Sequence, residues 1–545
     1  MWTKRLVVGP LLACLGGGLL VLSFPPFAWG FFAWIALVPL MVAMNGRGPW
    51  AALGLAYLAG LAFIVGSFYW IWWVPGYNLL DEALLAFYLA LYLAVWGLGV
   101  TWLRRRAALP FAVVAPALWV TLEYVRSNLS FLSLPWMLLG HTQYLSLSLI
   151  QIASITGAYG LTYLIVLVNV AIAQWVLHVG QRSALAGRSA ALARPPVGAL
   201  STAALLLIAT WLYGLSVTGE SARGERIAVA LVQTSFPRDR KWDPAARRSI
   251  IERQEELTRS AAAKAPQLIV WPETAVPGDV EHHAPLRQRI AQAARDAKTP
   301  LLVGSSEFAK FTDRRLVDRK YNSVYLFLPT GDIAGQYRKI ALVPFGEFEP
   351  LQGVVRWPKA IAASMGTLLP GDRHTVFTLG SVPFSTVICW EIVFPDLVRR
   401  FVLSGARFIV NASNEAWFAG SAMPDQMLAM SAFRAAENRI AIARSANLGI
   451  SAIIDPYGRI TARLNDSSPG GSAADGVLVG EIPLAASGTF YTRHGDVFAF
   501  VCIGASLVLL LVAWFPSAAR RLLAVRSRWA GRPAECVPRL RNEGQ

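Results

Sequence analysis

Val387-Ile388-Cys389-Trp390-Glu391 begins as an apolar, β-branched run and ends on a thiol and a carboxylate. Val and Ile favour an extended strand, and a helical pattern follows at 395–404. A cysteine between a strand and a helix stands where other hydrolases expose a nucleophile on a tight elbow. The same rhythm extends outward on both sides. Strands are expected at 227–233, 267–271, 301–304, 323–328, 384–389, 408–411, 440–444 and 451–455, and helices at 244–264, 284–297, 395–404 and 421–437. Near-continuous apolar strands such as Leu268-Ile269-Val270 predict a sheet covered by helices, hence an α/β domain. Gly331-Asp332 suits a hairpin, and Asp455-Pro456-Tyr457-Gly458 supplies a second turn. No internal repeat, heptad run, P-loop or G-x-G-x-x-G is present.

Outside this segment the composition changes. Of 545 residues, 55% are hydrophobic and 15% charged, with a mean hydropathy of +0.46. Soluble proteins carry about 25% charged residues, so a single water-soluble globule is excluded, as is a disordered chain. Eight apolar runs are long enough to cross a bilayer, at 6–24, 28–44, 51–73, 83–103, 109–127, 155–178, 198–217 and 497–516. Aromatic residues crowd several ends, most densely at Phe68-Tyr69-Trp70-Ile71-Trp72-Trp73. The first run is expected to be a retained helix, since it is long for a signal h-region and lacks an Ala-x-Ala site. The expected organisation is a membrane region at 1–219 with seven crossings, an exported domain at 220–496, an eighth crossing at 497–517 and a basic tail at 518–545.

Orientation follows from the positive charges. With the N-terminus in the cytoplasm, alternation assigns sixteen Lys and Arg to the cytoplasmic side, while the opposite loops 74–82 and 128–154 hold none. Of the formal net charge of +17, only +5 lies within 220–496. Most of the charge is thus an orientation signal, and a nucleic-acid partner loses its support. Cys389 is the only cysteine of the exported segment, which excludes a disulfide within it. A lone thiol in an oxidising compartment must be shielded or used.

Three segments carry candidate chemistry. Trp271-Pro272-Glu273-Thr274 follows an apolar strand, and α/β sheets place ligands at such strand ends. Burial there suits Glu273 to general-base work; the alternative is a helix N-terminal acid or a surface loop. In Tyr337-Arg338-Lys339-Ile340-Ala341-Leu342-Val343-Pro344-Phe345-Gly346-Glu347, a fixed Lys339 ammonium suits oxyanion stabilisation, against the alternative of a solvated lysine. Glu347 is a second carboxylate or an ion-pair partner. Cys389 is a nucleophile or a buried structural thiol. The six histidines are scattered, and no His or Cys spacing suggests a metal.

Together, Glu273 in W-P-E, Lys339 ahead of L-V-P-F-G-E and Cys389 in C-W-E resemble the Glu-Lys-Cys triad of the carbon–nitrogen hydrolase (nitrilase) superfamily, over roughly 225–490. Further matches are Phe24-Pro25-Pro26-Phe27, Val232-Gln233, Lys241-Trp242-Asp243-Pro244, Tyr321-Asn322-Ser323, Phe348-Glu349-Pro350, Asn411-Ala412-Ser413-Asn414-Glu415-Ala416-Trp417-Phe418 and Arg444-Ser445-Ala446-Asn447-Leu448-Gly449-Ile450. With the membrane region, the whole chain resembles the apolipoprotein N-acyltransferase family of Gram-negative bacteria.

That resemblance implies an α-β-β-α sandwich on a polytopic helical membrane region. It implies Glu273 as general base, Lys339 as oxyanion stabiliser, Cys389 as nucleophile and Glu347 as a supporting carboxylate. Trp242, Asn322, Phe345, Trp390 and Glu391 are implied at the substrate site, with no cofactor and no metal. The implied reaction moves an acyl chain from a phospholipid, the sn-1 chain of phosphatidylethanolamine, to the N-terminal amine of diacylglyceryl-cysteine in apolipoproteins. A monomer in the bacterial inner membrane is implied, with both termini cytoplasmic and the catalytic domain periplasmic. Phe345 and Val354-Val355-Arg356-Trp357 are expected to form an apolar lid. Two departures stand out: Trp390 replaces the Tyr of many members, which questions a hydrogen-bonding role there, and Pro424-Asp425-Gln426-Met427 stands where many have His. A membrane-tethered amidase acting on a small soluble substrate shares the triad but gives the crossings no purpose. A transporter finds few charged residues inside them.

Overall fold

The computed structural model describes residues 2–74, 78–107, 109–184, 195–218, 225–241, 243–308, 319–351, 353–356, 368–418, 420–464, 475–484 and 488–515. Trp242, Trp357 and the basic tail lie outside these described residues.

Apolar sequence makes the N-terminal region helical, because a backbone in lipid must satisfy its own polar groups. The region contains α1 (Trp2–Ser23), α2 (Val38–Met44), α3 (Pro49–Phe68), α4 (Leu79–Ala107), α5 (Phe111–Asn128), α6 (Ala158–Ala184) and α7 (Val197–Thr218). Among the described residues, five helical spans are long and apolar enough to cross a membrane: Pro49–Trp72, Leu79–Ala107, Ala158–Arg182, Val197–Thr218 and Val497–Trp514. Helices α1 and α5 coincide with expected runs, although α5 carries Glu123 and Arg126. The run at 28–44 differs from expectation. It divides into a 3-10 turn, Gly30–Trp34, and the seven-residue α2, which has Pro39 in its first turn. Proline has no amide to continue a helix through that point, and seven residues give only about 10 Å of helix. Small residues let α3 and α4 approach: a Cβ on Gly97 would lie 2.6 Å from the Ala56 Cβ.

The second region is a two-sheet sandwich. Its strands are β1 (Arg226–Gln233), β2 (Leu268–Val270), β3 (Val276–Asp279), β4 (Leu301–Phe308), β5 (Lys320–Phe327), β6 (Ile333–Arg338), β7 (Val376–Leu379), β8 (Val382–Ile388), β9 (Phe408–Asn414), β10 (Ala441–Asn447), β11 (Ala452–Ile454), β12 (Ile460–Arg463) and β13 (Gly476–Pro483). One sheet runs β13-β1-β2-β4-β5-β6, with β3 beside β4; the other runs β12-β11-β10-β9-β8-β7. The pairs β1–β2, β2–β4, β8–β9 and β9–β10 are parallel. Period-two alternation builds the layers. On β1, Val229 and Leu231 join Val270, Phe384 and Val410 between the sheets, whereas Ala230 and Val232 pack outward against α8 (Arg247–Ala262) and α9 (Ala284–Ala297). On the other face of the second sheet, Val387, Ile409 and Ile442 share one side, and α10 (Pro395–Leu403) and α11 (Met423–Asn438) add Phe401 and Phe433 to the same core. The order of layers is helix, sheet, sheet, helix, and α12 (Val497–Trp514) ends the described chain. The expected hairpin is β5–β6, paired antiparallel. Strands β3, β7, β12 and β13 were not among the expected elements.

Candidate active site

Parallel strands end together, so the residues just past them converge. Glu273 follows β2, Lys339 follows β6 and Cys389 follows β8. Each turn is strained or tight. Thr274 has φ +45° and Cys389 has φ +54°, a left-handed conformation that costs an L-residue about 1–2 kcal/mol. Gly304 on β4 makes room for the Glu273 turn, since a Cβ there would lie 2.4 Å from the Pro272 carbonyl oxygen.

All three side chains are buried. Lys339 Nζ donates to Glu347 Oε1 at 2.7 Å and stands 3.7 Å from Glu273 Oε1. Glu347 Oε2 accepts from the Val343 amide at 2.8 Å, so the Pro344–Glu347 turn folds its own carboxylate back onto the lysine. Asn322 Nδ2 donates to Glu273 Oε1 at 2.7 Å. Burial works against the Lys339 ammonium, but Glu347, Glu273 and the Cys389 thiol outweigh it and hold its pKa above the usual lysine value. Burial, then the nearby Glu273 charge, pushes the Cys389 thiol up to about 12 against the pull of Lys339. Burial likewise raises Glu347 above the usual carboxylate range, against the same lysine.

Glu391 is placed differently from the substrate-lining expectation. It is fully buried beneath the elbow, with Oε1 accepting from the Ile340 amide at 2.7 Å and the Ala341 amide at 2.9 Å. Oε2 accepts from the Ile388 amide at 2.7 Å, and the Tyr337 hydroxyl donates to the carboxylate at 2.9 Å. With so many donors it clamps the Lys339 loop to the Cys389 elbow and has no face left for a ligand. Trp390 keeps a hydrogen-bonding role without a hydroxyl, because its indole Nε1 donates to the Ala341 carbonyl at 2.7 Å. Asn322 supports Glu273 directly. Phe345 (φ +63°) sits edge-on to Phe131, 6.5 Å away, on the loop after α5. Of the expected lid, Val354 is exposed.

Several further residues belong to the site and carried no role in the sequence reading. Asn411 Nδ2 donates to the Cys389 carbonyl at 3.1 Å, and Arg444 Nη1 donates to Asn411 Oδ1 at 2.7 Å. Arg444 pairs with Glu415, which also accepts from the Ser413 hydroxyl at 3.0 Å. The Ser413 side chain draws the Cys389 pKa downward, against burial. Lys241 lies buried with Nζ 2.9 Å from the Glu273 main-chain oxygen. The apolar-to-polar switch within Phe408–Asn414 was the available signal for Asn411 and Ser413, because strand β9 ends beside β8. Lys241 gave none. Among the described residues, no cluster of His, Cys, Asp or Glu is arranged to hold a metal.

Comparison with known proteins agrees over both regions. The sequence model of the carbon-nitrogen hydrolase family matches residues 228–491, and that of the apolipoprotein N-acyltransferase N-terminal domain matches residues 16–171. The apolipoprotein N-acyltransferase of Geobacter metallireducens is 37% identical over 519 residues, covering 92% of this chain and 95% of that one. That of Chlorobaculum tepidum is 30% identical over 542 residues, covering 94% and 97%. Among solved structures, a mutant of the Nesterenkonia AN1 amidase from the nitrilase superfamily aligns at 20% identity over 50% of this chain and 96% of its own, with a TM-score of 0.36. Identity of this extent along nearly the full length of two curated relatives settles the matter: the chain belongs to the apolipoprotein N-acyltransferase family.

Proposed function

We propose that Cys389, Glu273 and Lys339 transfer a fatty acyl chain from a phospholipid to the N-terminal amine of diacylglyceryl-cysteine in apolipoproteins, through a thioester on Cys389. The observation that carries this reading is the convergence of a strained cysteine with a carboxylate and an ammonium 3.7 Å apart, all buried at adjoining strand ends. Glu273 takes the thiol proton as Cys389 Sγ attacks the ester carbonyl carbon. Lys339 stabilises the oxyanion, and Glu347 holds the ammonium in place. The C–O bond breaks, Glu273 returns the proton to the departing lysophospholipid oxygen, and the thioester remains. The amine then attacks the thioester carbonyl, Glu273 accepts its proton, and the C–S bond breaks to release the amide and the cysteine.

The membrane helices support a lipid donor. Moving an acyl chain into water costs about 0.8 kcal/mol per CH₂, and a site held at the membrane surface avoids that cost. The donor is assigned as phosphatidylethanolamine, acting through its sn-1 chain. The charge pattern supports a periplasmic catalytic domain spanning 220–496, with both termini cytoplasmic. The protein acts as a monomer in the inner membrane, Asn322, Phe345 and Trp390 surround the substrates, and Trp242 is proposed as a further substrate-binding residue.

The test is direct. Purified protein incubated with labelled phosphatidylethanolamine should gain one hydroxylamine-sensitive acyl adduct on Cys389, read by mass spectrometry. Absence of the adduct, or full turnover by Cys389→Ala, would falsify the thioester route.

A further inference from the structure

Lys241 is a second buried lysine at the site, and the steps above leave it unused. It ends a short helical turn, Arg238–Lys241, that follows β1 in the chain, and it is only 2% exposed. Its Nζ donates to the Glu273 main-chain oxygen at 2.9 Å. Burying an ammonium is costly unless charge and hydrogen bonds compensate it. One bond to a neutral carbonyl is little compensation, so the neighbouring charges matter.

The charged groups facing Lys241 are Glu273, on the turn after β2, and Cys389, on the elbow after β8. Lys339 stands 3.7 Å from the Glu273 carboxylate and carries Glu347 as its own partner. On its own turn, Asp239 and Arg240 are exposed to water. Lys339 and Glu347 are in contact at 2.7 Å and largely cancel. Without Lys241, the ionised Glu273 would have no cation of its own. With Lys241 protonated, the set is neutral when Cys389 is a thiol and Glu273 a carboxylate. It stays neutral once the proton has moved and the charge sits on sulfur. The proton therefore moves within a charge-balanced cluster, and the nucleophile forms without leaving a net buried anion.

Resting on the thioester reading, we propose that Lys241 is a positioning residue and counter-ion for the acylation step, holding the Glu273 turn in register and supplying the positive charge that balances the base and then the nascent thiolate. Burial also lowers the Lys241 pKa to about 8, against the pull of Glu273 and Cys389. The sign follows: the charge is present below that pH and is lost above it.

The experiment measures single-turnover acylation of Cys389 by a labelled phospholipid in the detergent-solubilised full chain between pH 6 and 9.5, using intact mass. In the unsubstituted protein the rate should decline above about pH 8. Lys241→Met should fold with an unchanged melting temperature, acylate about 10²-fold more slowly at pH 7 and show no decline near pH 8. Lys241→Arg should recover most of that rate and carry the decline beyond pH 9. A Lys241→Met rate within twofold of the parent, or one that keeps the parental decline, overturns the proposal. Failure of Lys241→Arg to recover any rate does so as well. If the unsubstituted protein itself forms no adduct, it is the thioester reading that fails, so the two failures are distinct.

Discussion

On the proposed route, Cys389 enters the reaction as a thiol. Burial and the Glu273 charge push its pKa up to about 12, so near neutral pH the thiolate is scarce until a base removes the proton. This distinguishes the site from cysteines activated by a resting cation, and it predicts slow modification by simple electrophiles. Alkylation of Cys389 by iodoacetamide should be slow at pH 7 and keep rising through pH 10, tracked by peptide mass spectrometry. A plateau below pH 9 would contradict the raised pKa. Glu347→Gln leaves the Lys339 ammonium without its 2.7 Å charged partner, and acylation should fall by about 10²-fold with the fold intact, read by intact mass and melting temperature. Retention of full rate would remove Glu347 from the machinery. At this scale the sequence was informative where chemistry interrupts an apolar strand, as at Glu273, Lys339 and Cys389. It gave no role to Lys241, because Arg238-Asp239-Arg240-Lys241 has the composition of a solvated turn. Only the long-range closure of that turn onto Glu273 buries the lysine.

Elements hold these residues through the carboxylate of Glu391. It joins the end of β8 to the loop after β6 by accepting three backbone amides and the Tyr337 hydroxyl. Removing it should matter more for stability than for substrate affinity. Glu391→Ala orphans those donors, at a cost of about 3–5 kcal/mol. Thermal unfolding in detergent should show a clear drop in melting temperature, and an unchanged value would show that Glu391 is not the clamp. Tyr337→Phe removes one donor and should lower stability by about 1 kcal/mol. The motif C-W-E revealed the carboxylate but not which way it points. The short helical turn Cys389–Val393 sends Glu391 back under the elbow. Strand legibility followed the same logic. β1, β2, β8 and β9 are dense in β-branched and apolar residues and stood out. β13 has two glycines, a glutamate and a proline among its eight residues, and it becomes a strand by pairing with β1 from Arg226↔Pro483 to Gln233↔Gly476. That partner is about 250 residues distant in sequence, beyond the reach of a local pattern.

At the scale of the whole molecule, one side chain joins the catalytic domain to the membrane helices. Gln426, at the start of α11, is buried, and its Oε1 accepts from Trp136 Nε1 at 2.9 Å and Trp70 Nε1 at 3.2 Å. Its Nε2 donates to the Ser67 carbonyl at 3.1 Å and the Pro25 carbonyl at 3.3 Å. The aromatic run at 68–73 reads as an interface belt, yet Trp70 turns inward, with its ring 5.2 Å from Phe418 and 5.8 Å from Trp136. Pro424-Asp425-Gln426-Met427, where the family pattern gave no role, is thus the seam between the two regions. Phe131 against Phe345 and His141 against Phe433 add aromatic contacts across it. A polar seam of this kind fixes geometry, since each unmade bond at a buried site costs about 1–3 kcal/mol. Gln426→Leu keeps the volume but leaves two indole donors and two carbonyls unpaired. The melting temperature of the full chain should fall, and acyl transfer from phospholipid in proteoliposomes should drop about tenfold, because small misplacement of a reacting lipid is expensive. Acylation by a water-soluble short-chain ester should stay close to the parental rate, since Glu273, Lys339 and Cys389 are untouched. Equal losses with both donors would instead mean that Gln426 supports the triad itself, and losses with neither would mean that the seam holds without it.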